Sequence, residues 1–448
     1  MADLVTCLEA AGLTASVGGL GYAKYRAPRV YWSLVGLPVA RVRFSVTYRS
    51  TMDVCGLTVQ PSAMRAYLTR TVARREVQPV APKVRRVRGS STGMRVVLRL
   101  PAGLEPADVA ASCERLRHAW GVRSVTVREV KPGFVELRMT GYDVLARVRM
   151  PRRFKAQGPL VVPVALREDG TVFVRDYRKV PMALTLGATL SGKSMYQRNL
   201  IKGLAALPVA LVGIDCKRGV EHSRYAPRLS ALATTPQMAG SLLDVLVSEM
   251  EERFDLLALH EVSDLWDLPA RVRPVPLVVL IDEVAELFLV ASKKDEPARD
   301  HMVMQLVRLA QMARAVGIHL EVCGQRFGSE LGKGATTLRA QLTGRVVHRV
   351  NDVQTAEMGL KDIAPDAVFA ATTIPPDRPG IAVAGDTSGG WSRIRTPAIT
   401  PGEAAAVCRE FAHLTPQLPF LAPFRPVSRT VPPMPAAPPL IRPRPVTE

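Results

Sequence analysis

The stretch TLGATLSGKSMYQ, residues 185–197, restricts this chain more than any other part of it. A glycine, four small or apolar residues and then Gly-Lys-Ser follow the apolar run MALTL and precede a helical pattern. The residues therefore fit G-x-x-x-x-G-K-[ST] between a strand and a helix. Gly187 and Gly192 let the backbone curl around Ala188, Thr189, Leu190 and Ser191, so that successive N–H groups point inward at phosphate oxygens. The helix that follows adds its positive N-terminal end. Lys193 is placed to reach the β- and γ-phosphates and Ser194 to ligate Mg²⁺, which makes ATP with Mg²⁺ the expected cofactor pair.

Such a loop needs a sheet behind it. VALVGID (209–215), PLVVLID (276–282), GIHLEVCG (317–324) and GRVVHRV (344–350) are short apolar runs of the kind buried on both faces of a parallel sheet. Helical patterns at 193–206, 238–259 and 301–315 separate most of them, and in the last Met302, Leu306, Leu309 and Ala313 mark one apolar face. Strand and helix in alternation predict a doubly wound α/β domain. A carboxylate is then needed at the end of a neighbouring strand, and PLVVLIDE supplies two. Asp282 is expected to hold Mg²⁺, directly or through water, and Glu283 to orient and polarise the attacking water. CGQRFGSE (323–330) ends another strand, where the Gln325 amide is placed to sense the γ-phosphate. Beyond it, Arg326, Gly328, Gly332, Lys333, Gly334 and Arg339 read either as a moving basic loop or as an ordinary surface loop.

The rest of the chain divides by pattern. Residues 1–92 read as an irregular, basic N-terminal region ending in KVRRVRGSS, a linker or strand edge. Residues 93–150 read as a small α/β domain: MRVVLRL, VRSVTVREV and FVELRM as strands, EPADVAASCERLRHAW as a helix. Connecting strands are expected over 151–180 and the ATPase domain over 181–400. A short helix and a mobile tail over 401–448 complete the reading, with eleven prolines between Pro416 and Pro445.

Composition matters most for partners. The formal charge is +20, and residues 1–150 hold 24 basic against 10 acidic side chains. That excess suits nucleic acid or an anionic membrane surface, or is a solvated Arg-rich face. Six cysteines, with no Cys-x-x-Cys pair, read as a reduced, cytoplasmic chain without a zinc site. The N-terminus lacks a basic-then-apolar signal pattern. The best membrane candidate, VYWSLVGLPVARVRFSV, is broken by Arg41 and Arg43 short of the roughly 20 apolar residues that a spanning helix needs. No transmembrane segment is expected; peripheral contact with the inner face of the cell membrane, or with a membrane-associated partner, stays open.

TLGATLSGKSMYQRNLI, VALVGIDCKRGVE, SEMEERFDLL, LVVLIDEVAELF and LVRLAQMARAVGIHLEVCGQRFGSE occur in this order. Together they resemble the motor domain of the FtsK/SpoIIIE family of double-stranded DNA translocases, over residues 180–385. The layout is similar to that of the transfer proteins of actinomycete conjugative elements, the TraB and TraSA type, and the unit at 94–150 looks like the domain that precedes their motor. The resemblance implies a RecA-like P-loop NTPase fold and a homo-hexameric ring. It also implies ATP-driven movement of duplex DNA through the pore, with no small-molecule substrate besides ATP. A ring motor completes each site with an arginine from the next subunit, and Arg345 sits where the family has one, with Arg349 second. Two motifs depart: the family usually has Asp-Pro-Lys at Asp215-Cys216-Lys217, and Ala-Thr-Gln-Arg-Pro at Cys323-Gly324-Gln325-Arg326-Phe327. The membrane spans and the C-terminal winged helix of the chromosome-segregating members are not evident.

Two other readings share parts of this pattern. A protein-export ATPase of the type VII secretion kind uses the same motor, but usually strings several together, whereas one glycine loop and a strong positive charge are found here. A nucleotide-gated DNA-binding or tethering protein would not turn over, and the intact set of Lys193, Asp282 and Glu283 argues against it.

Overall fold

Alternating apolar residues at 93–99 and 134–140 bury one face of each strand, and the long apolar runs from 182 onward bury both. The structure, a computed structural model, describes residues 22–61, 78–151, 154–289, 292–386 and 390–426. It divides into two units. The first takes in the described residues up to 151 with 165–173 and 392–395; the second takes in nearly all the rest.

In the first unit, helix α1 (Leu37–Val54) follows a π-helical turn, Trp32–Gly36. After it come β1 (Lys83–Gly89), β2 (Gly93–Arg99), α2 (Pro106–Ala111), α3 (Cys113–Trp120), β3 (Ser124–Lys131) and β4 (Phe134–Thr140). The antiparallel sheet has the order β1-β2-β4-β3. Phe44 and Met52 of α1, with Val109, Leu116 and Trp120, join Val96, Leu98, Val135 and Leu137 of the sheet in one core. Residues 1–90 were expected to be irregular; 37–54 are helical instead. Exposed Val39, Val42 and Val46 blur the apolar period there, while Phe44 and Met52 anchor the other face. The boundary expected at 92 falls inside the β1–β2 hairpin, whose register runs from Lys83 opposite Arg99 to Gly89 opposite Met94. The helix expected over 105–120 breaks at Ser112, where one helix ends and the next begins.

β5 (Val161–Arg167) and β6 (Val172–Asp176) carry residues of both units. The second unit then runs β7 (Met182–Leu186), α4 (Lys193–Ala205), β8 (Ala210–Ile214), β9 (Leu229–Ala233), α5 (Pro236–Leu259) and β10 (Leu277–Ile281). It continues with α6 (Glu296–Met312), β11 (Ile318–Gly324), α7 (Ala335–Gln341), β12 (Gly344–His348), α8 (Val353–Leu360), α9 (Pro365–Thr372), β13 (Ile381–Asp386) and, past a last short strand, α10 (Pro401–Glu410). Its strands lie in the order β13-β12-β7-β11-β10-β8-β9. All neighbours are parallel except β12 with β13. Chain order reverses beside β7, so the strand that feeds the glycine loop is central and the carboxyl ends of β8, β10, β11 and β12 gather around it. The basic stretch after Gln325 is partly ordered as a short turn, Ser329–Leu331, and α7. The tail expected to be mobile from 416 packs as far as Phe424: Leu421 and Phe424 join the core of this unit, because apolar residues alternate with the prolines there. Residues 427–448 lie outside the described ones. Among the described residues no helix is long and apolar enough to cross a membrane.

Candidate active site

The glycine loop is braced from three sides. Gly187 N–H donates to the Gly324 carbonyl at 3.3 Å, Ala188 N–H to that of Arg349 at 2.9 Å, and Gly380 N–H to that of Ser191 at 2.9 Å. Leu190 has φ 61° and Gly192 φ 107°. Left-handed residues of this kind are the ones with which successive backbone amides form anion-binding nests. Among the described residues, no carbonyl accepts the N–H groups of Thr189, Leu190, Gly192, Lys193 or Ser194. A Cβ on Gly192 would run into the Gly380 amide, and one on Gly187 would lie 2.5 Å from Ser191 Oγ and 2.8 Å from His348 Cβ. The loop is thus a cradle of free donors, closed behind and opening at the start of α4.

Lys193, first in α4, turns back over the sheet, where its Nζ lies 3.2 Å from Glu283 Oε2. Glu283 follows β10 by two residues and its side chain is 7% exposed. Its other oxygen, Oε1, accepts the Gln325 backbone N–H at 3.2 Å, and Lys217 Nζ lies 3.7 Å from Oε2. Three strand ends and one helix start therefore meet on a single carboxylate.

Asp282 is half-buried beside them. Burial pushes its carboxyl above the ordinary range and Asp215 adds to that, while His222, Lys193 and Lys217 oppose it. Asp215, 1% exposed, accepts the N–H groups of Lys217, Glu221 and His222 at 3.2, 2.9 and 3.0 Å. His222 is buried with neither ring nitrogen hydrogen-bonded, and burial lowers its pKa. The hydroxyl of Ser194 and the carboxylate of Asp282 are hard oxygen donors of the type Mg²⁺ takes, and the free loop amides fit the phosphates such an ion accompanies.

The structure brings Lys193, Glu283 and Gln325 into direct contact and Asp282 into their field. Gln325 takes part through its main chain; its side chain is exposed. Arg345, expected to be offered to a neighbouring subunit, is instead 3% exposed. Its guanidinium donates to the Arg339 carbonyl at 2.8 Å and lies 3.8 Å from Asp362, and burial lowers its pKa to about 10. Strand β12 points that side chain into its own unit. Half-buried Arg349, one residue past β12, reaches the loop itself, donating to the Thr189 carbonyl at 3.2 Å. Sequence reasoning named Lys217 only within a departing motif, without a role, and passed over His222. The signal was present in the polar run DCKRG, which follows buried β8 much as Asp282-Glu283 follows β10.

Comparison with known proteins shows to which family the chain belongs. The family model described as the actinomycete conjugal transfer protein N-terminal domain matches residues 17–141, and that of the FtsK/SpoIIIE family matches 144–271 and 266–329. The transfer protein TraSA of Streptomyces ambofaciens is 53% identical over 402 residues, covering 87% of this chain and 97% of that protein. The DNA translocase FtsK of Streptococcus pneumoniae is 33% identical over 216 residues, 44% of this chain, which spans only 27% of that longer protein. Among solved structures, the pCW3 conjugation coupling protein TcpA, a monomer form with ATPγS, superposes with a TM-score of 0.52 at 17% identity, covering 73% of this chain and 94% of that one. That likeness concerns the fold alone. With a conjugal transfer N-terminal domain, an FtsK/SpoIIIE domain and a relative matched almost end to end, the chain belongs to the TraSA family of actinomycete conjugal transfer proteins.

Proposed function

We propose that this protein hydrolyses ATP to move double-stranded DNA during conjugative transfer, working as a homo-hexameric ring. The observation that carries the reading is the meeting of Lys193 and the Gln325 amide on Glu283, beside a loop of undonated N–H groups. In this reading residues 187–194 hold the triphosphate and Lys193 leaves Glu283 for the β- and γ-phosphates. Glu283 then orients a water for in-line attack and accepts its proton. Ser194 and Asp282 would hold Mg²⁺, which would neutralise charge on the phosphates. Loss of the γ-phosphate returns Lys193 to Glu283, and the Gln325 amide passes that change to the segment carrying Arg326 and Lys333. Arg326 is tied to Glu330 and Gln354 at 2.8 and 3.0 Å, whereas Lys333 is exposed, and in this reading it meets backbone phosphates. Such contacts ignore base sequence, as a motor that steps along any duplex requires. Arg349, on the loop of its own chain, takes the charge-stabilising role first expected of Arg345. The +20 charge and the names of the relatives support DNA as the polymer and transfer as the setting.

The test is the ATPase rate against duplex DNA at several salt concentrations. Stimulation that weakens steeply with salt is expected, with none in Lys193→Ala. Hydrolysis indifferent to duplex DNA would turn the reading to protein export, and ATP binding without turnover to a nucleotide-gated tether.

A further inference from the structure

Glu283 faces two lysines, and only one of them belongs to the glycine loop. Lys193 Nζ is 3.2 Å from Oε2 and Lys217 Nζ 3.7 Å from the same oxygen. The two cations are held differently. Lys193 stands at the mouth of a helix whose free amides await an anion. Lys217 sits in a loop fixed from beneath. The buried Asp215 carboxylate accepts three of that loop's N–H groups, the Gly219 N–H donates to the Asp215 carbonyl at 3.0 Å, and Arg218 and Gly219 take φ of 60° and 72°. Five residues of tight turn thus present one ammonium, 44% exposed, to one buried carboxylate.

A triphosphate in the cradle draws Lys193 onto its own oxygens. Glu283 would then be a buried anion next to the γ-phosphate with a single amide for company, and an uncompensated buried charge is strongly unfavourable. We propose that Lys217 is a positioning residue for hydrolysis: it takes over Glu283 when Lys193 moves to the nucleotide, neutralising the carboxylate against the γ-phosphate and keeping it aimed at the attacking water. The inference rests on the reading that Lys193 serves the triphosphate. It also accounts for the run after β8: Asp215 shapes the turn that delivers Lys217.

The test is a double-mutant cycle on the full chain, reading Mg²⁺-dependent binding of a fluorescent, non-hydrolysable ATP analogue together with turnover of ATP. Lys217→Ala should weaken binding about tenfold and lower kcat at saturating ATP by about tenfold or more, while Lys217→Arg restores both to within about threefold. In a Glu283→Gln background, where no charge needs neutralising, Lys217→Ala should change binding less than about twofold. An equal loss in both backgrounds would mean that Lys217 touches the phosphates directly, and would overturn the proposal, as would a Lys217→Ala protein identical to the parent. Circular dichroism excludes unfolding as the cause of a loss. A parent that binds but does not hydrolyse refutes the motor reading while the binding cycle still decides the role of Lys217. A parent that binds no analogue refutes both.

Discussion

Glu321 and Glu283 belong to the same sheet and are both buried, yet they are held in opposite ways. Glu321 lies mid-strand in β11, 1% exposed, and Oε1 is the target of a single cation: Arg175 Nε donates to it at 2.7 Å and Nη2 lies at the same distance. Arg175 is itself 4% exposed, also donates to the Val180 carbonyl, and stacks on buried Tyr177. Nothing in that pair can leave without stranding a charge in the core. Glu283 sits past a strand end and shares two lysines, 14% and 44% exposed, with one backbone amide. Its lysine partners are partly exposed. Equal chemistry thus gives a locked pair in the middle of the sheet and, past the carboxyl end of β10, a carboxylate that serves as a switch in the function proposed above; the difference is access.

The sharpest way to break this comparison is to remove each carboxylate. Glu321→Ala leaves Arg175 buried and unpaired and should destabilise the protein by about 3–5 kcal/mol in chemical denaturation. Glu283→Gln should lower ATP turnover roughly 10²–10⁴-fold, yet change stability by about 1 kcal/mol or less, with ATP still bound. Were Glu283→Gln the more destabilising of the two, the assignment of lock and switch would be reversed.

A smaller effect should come from acid. Burial holds His348 down to about 4 and His319 to about 3, against an ordinary value near 6.5. His348 is wedged against Gly187, and its Nδ1–H donates to the Ile381 carbonyl at 3.1 Å; His319 packs on Tyr177. For a depressed histidine the unfolded chain takes up the proton first as pH falls. Stability is therefore full above about 6.5 and drains away toward the folded values, by about 2 kcal/mol per histidine at pH 5. Denaturation midpoints between pH 7.5 and 5 should show this slope, and His319→Gln should flatten it. The smallest change belongs to a surface pair. Lys179, 79% exposed and 3.5 Å from Asp176, should tolerate alanine within about 0.5 kcal/mol.

The two units also differ in how far their sequences could be read. In the second, every central strand is buried on both faces, so short apolar runs, interrupted by His319 and Glu321 in β11 and by Arg345 and His348 in β12, marked β7, β8, β10, β11 and β12 within a residue or two. In the first, β1 is exposed along its whole length, and α1 shows valines to solvent while burying Phe44 and Met52. Period and burial disagree there, and the chain looked irregular until the sheet it covers was known.

What local sequence determined is the strand–loop–helix with its cradle, and the acidic pair past β10, because turn chemistry and apolar runs act over a few neighbouring residues. Which charges meet was decided by the tertiary structure alone. Lys193 and Glu283 lie 90 residues apart and Arg175 and Glu321 lie 146 apart, and only the strand order sets them side by side. The same order turned Arg345 inward and brought Lys217 to the site, since the face a side chain presents depends on which strand lies next to it.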